Sequence, residues 1–116
     1  MRRFVLLLIL LLMVPPAKAQ NTDLAGNWLY SVCASGDQQG QLICKMWISG
    51  FQAGMFSSQE LARANKLKPA SCIPNSVTGD QARLIIEKFM RDNPRYKQLS
   101  AEMIAAYALE IAFPCP

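Results

Sequence analysis

Residues 72–94 read CIPNSVTGDQARLIIEKFMRDNP and contain the clearest helix boundaries in the chain. Thr78 followed by Gln81 is the pattern of a capping box, and Asp80 places a negative charge in the first helical turn. Apolar residues then recur at helical spacing, at positions 82, 85, 86 and 89. Asn93-Pro94 ends the pattern, because proline lacks an amide hydrogen and disfavours helical geometry in the residue before it. The sequence therefore predicts an amphipathic helix between Thr78 and Asn93.

The rest of the chain predicts three more helices and no strand pattern. They cover about Leu24–Ala34, Gln41–Ala64 and Ala101–Phe113, the last of which is capped by Ser100. Residues 65–76 contain two prolines and form the long connection of the domain. The predicted fold class is all-α, a small bundle of about four helices.

Gly50 and Gly54 lie four residues apart on the long second helix. Each glycine costs roughly 1 kcal/mol of helix stability relative to alanine, so the pair indicates a close approach of another backbone. The same spacing occurs in dimers of membrane helices, but this segment carries charged residues such as Lys45, Glu60 and Arg63. We therefore expect the two glycines to pack against another helix of a soluble bundle.

The fourth predicted helix is apolar on nearly every side. Between Ala101 and Phe113, only Glu102 and Glu110 break the apolar pattern. Such a helix needs cover on most sides, at the centre of the bundle or in a dimer interface. Because one protomer has few helices to supply that cover, the sequence predicts a homodimer.

The N-terminus has the three parts of a secretory signal peptide. Arg2 and Arg3 give a positive start, Phe4–Val14 gives a short apolar run, and Ala17-Lys18-Ala19 gives the small-x-small cleavage site. We expect residues 1–19 to be the signal peptide and residues 20–116 to form one exported domain in the bacterial periplasm. The apolar run is too short to span a bilayer, and no cysteine follows the cleavage site, so no stable membrane anchor is expected.

Four cysteines remain after cleavage, at positions 33, 44, 72 and 115. An even number of cysteines in a small exported chain indicates two disulfides, so the bundle is expected to be disulfide-bonded. A zinc site is disfavoured because its ligands usually occur in pairs roughly two to four residues apart. If the third and fourth helices are antiparallel neighbours, Cys72 pairs with Cys115 and Cys33 with Cys44. The residues alone leave the alternative pairing open.

The composition excludes several kinds of active site. The chain contains no histidine, which rules out within this chain a Ser-His-Asp triad, a Cys-His pair and a Cys₂His₂ zinc finger. Three of the twelve basic residues lie in the predicted leader, so the mature chain has no basic footprint for nucleic acid. Two carboxylate pairs lack any surrounding pocket motif, Asp80 with Glu87 and Glu102 with Glu110. We expect no enzyme activity and no cofactor.

Several of these segments together resemble the Rap/Tai family of periplasmic immunity proteins. They are Cys72–Gln81 with the apolar helix that follows, Asn93-Pro94, Ala112-Phe113-Pro114-Cys115, and Cys44–Phe51 upstream. The resemblance implies an all-helical, disulfide-bonded protein that neutralises a toxin delivered by a type VI secretion system. That partner would be a secreted cell-wall-degrading effector, often a peptidoglycan amidase, with its active site occluded.

The helical pattern is more loosely similar to the HdeA-like periplasmic proteins, which implies an acid-stress chaperone as the alternative function. This looser resemblance suggests a disulfide between Cys44 and Cys72, which leaves Cys33 to pair with Cys115. We adopt that pairing as the expectation.

The turn between the third and fourth helices is the predicted partner-binding surface. Tyrosine and arginine are enriched at binding hot spots, and the turn contains two arginines, one tyrosine and other polar residues. The candidate contact residues are Arg91, Asp92, Asn93, Arg95, Tyr96 and Lys97. For Tyr96, the alternative is a ring that folds back onto the bundle.

Overall fold

The computed structural model describes residues 25–116 and contains four α-helices. They are α1 (Gly26–Cys33), α2 (Gln38–Ala64), α3 (Gly79–Asp92) and α4 (Ala101–Ala112), with a 3₁₀ helix at Pro94–Gln98 before α4. Over residues 25–116 the only strand-like feature is one isolated bridge, between Ala25 and Ser100. The all-α prediction is confirmed. The predicted signal peptide at residues 1–19 lies outside the described residues and stays a prediction.

Side-chain caps fix where three of the helices begin. The Thr78 hydroxyl accepts from the Gln81 amide, and the Gln81 side chain accepts from the Thr78 amide, so the predicted capping box is present. Ser100 caps α4 as expected, by accepting from the amide of Met103. Asp37 caps α2, which therefore begins at Gln38, three residues earlier than the apolar pattern indicated.

The bundle is arranged around α1 and α3. α3 packs between α2 and α4, while the short α1 contacts α2, α3, α4 and the 3₁₀ helix. The fully buried side chains come from every α-helix and include Leu29, Ile48, Ile86, Met90, Ile104 and Leu109. Gly26 allows the close approach of α1, since a Cβ there would collide with the Ile104 side chain and lie 2.9 Å from the Lys97 carbonyl oxygen. No helix within residues 25–116 has the length and apolar character to cross a membrane.

The expected packing role of Gly50 and Gly54 is wrong. Both residues are exposed, and a Cβ built on either one would meet no atom within 4 Å. The side of α2 that faces the core carries Cys44, Ile48 and Gln52, and the helical repeat turns both glycines away from it. The glycine pair therefore leaves an open face on the longest helix of the bundle.

The disulfides join Cys33 to Cys44 and Cys72 to Cys115, so the pairing adopted from the looser resemblance is wrong. The physical reason is local. Cys33 ends α1 and Cys44 lies near the start of α2, so the short turn between these helices brings them together. At the other end, the Cys72 amide donates to the Phe113 carbonyl at 2.9 Å and aligns the connection with the C-terminal segment. This is the pairing that antiparallel α3 and α4 predict.

Two buried glutamines of α2 hold the long connection in place. The Gln59 side chain donates to the Ile73 carbonyl and accepts from the Ile73 amide, at 3.1 and 2.9 Å. Gln52 donates to the Val77 carbonyl at 2.7 Å. Ile73 is thereby fixed in the core, where it is 2% exposed. The predicted loop is an ordered part of the bundle, because polar side chains replace the missing helical hydrogen bonds.

Candidate partner-binding surface

The six predicted contact residues lie at one end of the bundle but face different surroundings. Asn93 and Tyr96 line a cavity between α3 and α4, whereas Arg95 lines a smaller adjoining one with Tyr96 and Leu99. Arg91 and Asp92 form the exposed last turn of α3. Lys97 turns towards α1. The turn is therefore the edge of a larger surface.

That surface is a groove between α3, the 3₁₀ helix and α4, which we name the α3–α4 groove. Its main cavity has a volume of about 520 Å³ and is lined by Phe89, Asn93, Tyr96, Leu99, Met103, Tyr107 and Ile111. A second cavity of about 340 Å³ shares Phe89, Asn93 and Ile111 with the first and extends along α3 to Ile85. The two cavities form one continuous, mainly apolar depression.

Aromatic rings give the groove a fixed shape. The Phe89 and Tyr96 ring centroids are 5.6 Å apart, and those of Tyr96 and Tyr107 are 6.4 Å apart, both in edge-to-face geometry. Tyr96 is half-buried between the other two rings. The ring does fold back onto the bundle, and it also forms part of the groove wall. The two readings of Tyr96 are thus compatible.

α4 divides its apolar residues between the core and the groove. Ile104, Ala105 and Leu109 are buried, whereas residues at every fourth position are exposed: Met103, Tyr107 and Ile111. Ile111 is 68% exposed. Contiguous exposed apolar side chains on a small protein mark an interaction surface. The sequence signal was present in the apolar character of α4, but it did not separate the groove side from the core side.

Basic side chains surround one end of the groove. Lys88 and Asp92 form an ion pair on α3, and Arg91 and Arg95 are exposed beside it. The hydrogen bond from Lys88 lowers the pKa of Asp92, burial opposes it, and the charges of Lys88 and Arg91 add to the lowering. Because Lys88 and Asp92 pair with each other, the exposed Arg91 and Arg95 carry the excess positive charge of this rim, which favours an acidic partner surface.

Lys97 is engaged within the protomer. Its Nζ lies 3.5 Å from the centroid of the Tyr30 ring, a cation–π contact that ties the 3₁₀ helix to α1. The residue therefore holds the turn in position against α1.

Of the two carboxylate pairs considered for acid–base catalysis, Asp80 and Glu87 form ion pairs with neighbouring basic residues. Arg83 lies between Asp80 and Glu87, with its Nε 3.8 Å from the Asp80 carboxylate and its Nη1 2.8 Å from that of Glu87. Asp80 also lies 3.7 Å from the Lys45 ammonium, which links α3 to α2. On α4, Glu102 is exposed in the first turn and Glu110 is half-buried near the end. Ion pairing, together with the favourable position of Asp80 in the first turn of α3, accounts for the first pair.

One of three comparisons with known proteins gives a match. A family model described as Rap1a immunity proteins matches residues 25–115. No curated protein and no solved structure matches the chain. The matched range contains all four α-helices, both disulfides and the whole α3–α4 groove. On that match, the chain belongs to the Rap1a immunity protein family.

Proposed function

We propose that this protein acts in the periplasm, where it binds a type VI secretion effector, a peptidoglycan amidase, and occludes its active site through the α3–α4 groove and the adjoining turn. The family membership supports immunity against a secreted effector. The observation that carries the choice of surface is the exposed stripe of Met103, Tyr107 and Ile111 beside the basic rim. Periplasmic location rests on the predicted leader and on the two disulfides, which persist in oxidising compartments.

Inhibition by occlusion requires only a rigid surface of the right shape. Two disulfides and the edge-to-face contacts among Phe89, Tyr96 and Tyr107 would keep the groove wall in one conformation before binding. A preorganised surface loses less conformational entropy on binding, so a contact of modest area gains affinity. The basic rim would speed association with an acidic effector surface.

The proposal includes the homodimer predicted from sequence. The homodimer was predicted because α4 is apolar on nearly every side, and the fold accounts for part of that character. Five apolar residues of α4 are buried within the protomer: Ala101, Ile104, Ala105, Ala108 and Leu109. Three others line the groove: Met103, Tyr107 and Ile111. Self-association therefore needs a surface other than the core side of α4.

The direct test measures whether the mature protein inhibits a peptidoglycan amidase secreted by a type VI system. Purified amidase is assayed on isolated cell-wall sacculi with increasing amounts of the mature protein. Ile111→Lys places a charge in the groove without touching the core and is expected to weaken inhibition about 100-fold, or ~2–3 kcal/mol. Leu84→Lys is the matched control, because Leu84 is 57% exposed on α3 outside the groove.

A second variant tests the turn. Arg95→Ala with Tyr96→Ala removes the hot-spot residue types and should also reduce inhibition, with circular dichroism checking that the bundle stays folded. Full inhibition by both groove variants would exclude this surface as the contact. Absence of inhibition by the wild-type protein would refute the amidase as its target.

A further inference from the structure

The C-terminal end of α2 combines leucines with basic side chains in a cluster that we name the α2 tip: Leu61, Arg63, Lys66, Leu67 and Lys68. All five residues are exposed, and each leucine is 65% exposed. Residues 63–68 are exposed without interruption, which is the pattern of a segment that projects from the bundle. None of the five residues lines the α3–α4 groove or the smaller cavity beside it.

A Schellman motif fixes the backbone of the α2 tip. The Lys66 amide donates to the Arg63 carbonyl at 3.0 Å, and the Leu67 amide donates to the Ala62 carbonyl at 2.8 Å. These two bonds turn the chain back against the last turn of α2, so Leu67 and Leu61 lie at the same end of the helix. The exposure of the leucines therefore belongs to a hydrogen-bonded helix end.

Lys66 occupies a position that glycine normally takes. Its φ angle is 58°, and it is the only residue within 25–116 with a positive φ. Left-handed backbone is unfavourable for a residue that has a Cβ, and glycine is the usual residue at this point of a Schellman motif. Backbone stability does not account for the lysine. Its positive charge is the property that glycine would lack.

Most of the positive charge of the α2 tip is unpaired within the described chain. Arg63 pairs with Glu60 at 2.7 Å, but no carboxylate of residues 25–116 lies within 4 Å of the Lys66 or Lys68 ammonium. Free cations beside exposed leucines are typical of segments that lie at a membrane interface. There the apolar groups enter the lipid, while the long basic side chains keep their charges among the phosphates.

We propose that the α2 tip docks reversibly on the surface of an anionic phospholipid bilayer. Charge complementarity selects the lipid phosphates, and a projecting tip suits a soft, flat surface better than a protein partner, which needs an extended matching area. Three cations and two inserted leucines give an association constant on the order of 10³ M⁻¹, below the roughly 10⁴ M⁻¹ of a single myristoyl chain. The proposal does not depend on effector binding, which uses other residues.

The test is co-sedimentation of the mature protein, without effector, with phosphatidylcholine vesicles that contain about 30% phosphatidylglycerol, at up to about 5 mM lipid. At low salt, wild-type protein should be half bound at roughly 1 mM lipid. Binding should be much weaker to vesicles of phosphatidylcholine alone. It should also fall in about 0.5 M salt, which screens the attraction between the lysines and the phosphates.

Lys66→Gly separates the charge of the tip from its fold. Glycine adopts the left-handed backbone freely, so thermal stability should stay the same or rise while vesicle binding falls about fivefold. Leu67→Ser should weaken binding about tenfold, because it removes an inserted apolar group. Two matched controls should bind vesicles like wild type. Leu84→Ser removes an exposed leucine of α3, and Lys45→Gln removes an exposed cation from the first half of α2.

Four results would overturn the proposal: no binding at the highest lipid concentration, equal binding to both kinds of vesicle, wild-type binding by Lys66→Gly and Leu67→Ser, or equal losses in the tip variants and the controls. If wild-type protein binds no vesicles and the tip variants weaken inhibition of the amidase, the tip is a protein contact and the bilayer assignment is wrong. Tip-dependent vesicle binding by a protein that fails to inhibit would refute the proposed function and support this one.

Discussion

The two disulfides stabilise the bundle in different ways. Cys33–Cys44 closes a turn between neighbouring helices over a sequence separation of 11 and is fully buried. Cys72–Cys115 spans a separation of 43, encloses α3 and α4, and is half-buried. Each bond is accompanied by a glutamine of α2 that donates to backbone carbonyls, Gln41 in the first region and Gln59 in the second. The region of Cys33–Cys44 is a local hairpin of α1 and α2. The region of Cys72–Cys115 joins the connection before α3 to the segment after α4.

Removing each disulfide in turn gives the largest expected effect. The entropy of the unfolded loop predicts a loss of about 4 kcal/mol for Cys72→Ala with Cys115→Ala. Cys33→Ala with Cys44→Ala should cost about 3 kcal/mol by the same argument. Urea unfolding of the two double variants measures both values. A larger loss at Cys33–Cys44 would mean that core packing outweighs loop length in this bundle.

Replacing the two glutamines should also lower the free energy of unfolding, with the larger loss again in the second region, but by less than removing the disulfides. Gln59→Ala leaves the buried amide and carbonyl of Ile73 without partners, so we expect a loss of about 2–3 kcal/mol. Gln41→Ala removes hydrogen bonds at a half-buried turn and should cost about 1 kcal/mol. The midpoint of urea unfolding reports both changes. Equal losses would show that the long connection is held by its disulfide and not by Gln59.

The smallest expected effect is the pH dependence of the stability of the α1–α2 hairpin, which Asp37 caps. The hydroxyl of Ser35, followed by the amides of Gln39 and Gly40, lowers the pKa of Asp37 below the ordinary 3.8. A lowered folded-state pKa contributes stability above pH 3.8 that is lost as the pH falls through the folded value. Asp37→Asn keeps a capping side chain but cannot titrate, so its stability should fall less than that of wild type in this acid range. Parallel acid-dependent losses in wild type and variant would assign the pH effect to other carboxylates.

The sequence predicted where the helices begin and end better than which of their ends and side chains meet. Thr78, Ser100 and Asn93-Pro94 are local signals, and the helices they delimit lie where expected. The disulfide pairing depends on which helix ends meet, and the looser resemblance pointed to the wrong pair. Gln59 looks like any polar helix residue until the fold brings Ile73 against it.

From the sequence, only the turn at the edge of the proposed binding surface was predicted. The turn from Arg91 to Lys97 carries recognisable hot-spot residue types, and Tyr96 does line the groove. Phe89 was predicted only as part of the apolar pattern of its own helix, and the stripe of Met103, Tyr107 and Ile111 was not separated from the rest of α4. Periodicity gives the faces of a helix, but it cannot say which neighbour covers each face when nearly all of them are apolar.

The division of α4 has a consequence for how recognition can diverge. Core residues such as Ile104 and Leu109 alternate along one helix with the surface residues Met103, Tyr107 and Ile111. Changes at the surface set alter the chemistry presented to a partner while the packing beneath stays the same. Related chains could therefore acquire new effector specificities on an unchanged scaffold, and a library randomised at these three positions would sample them directly.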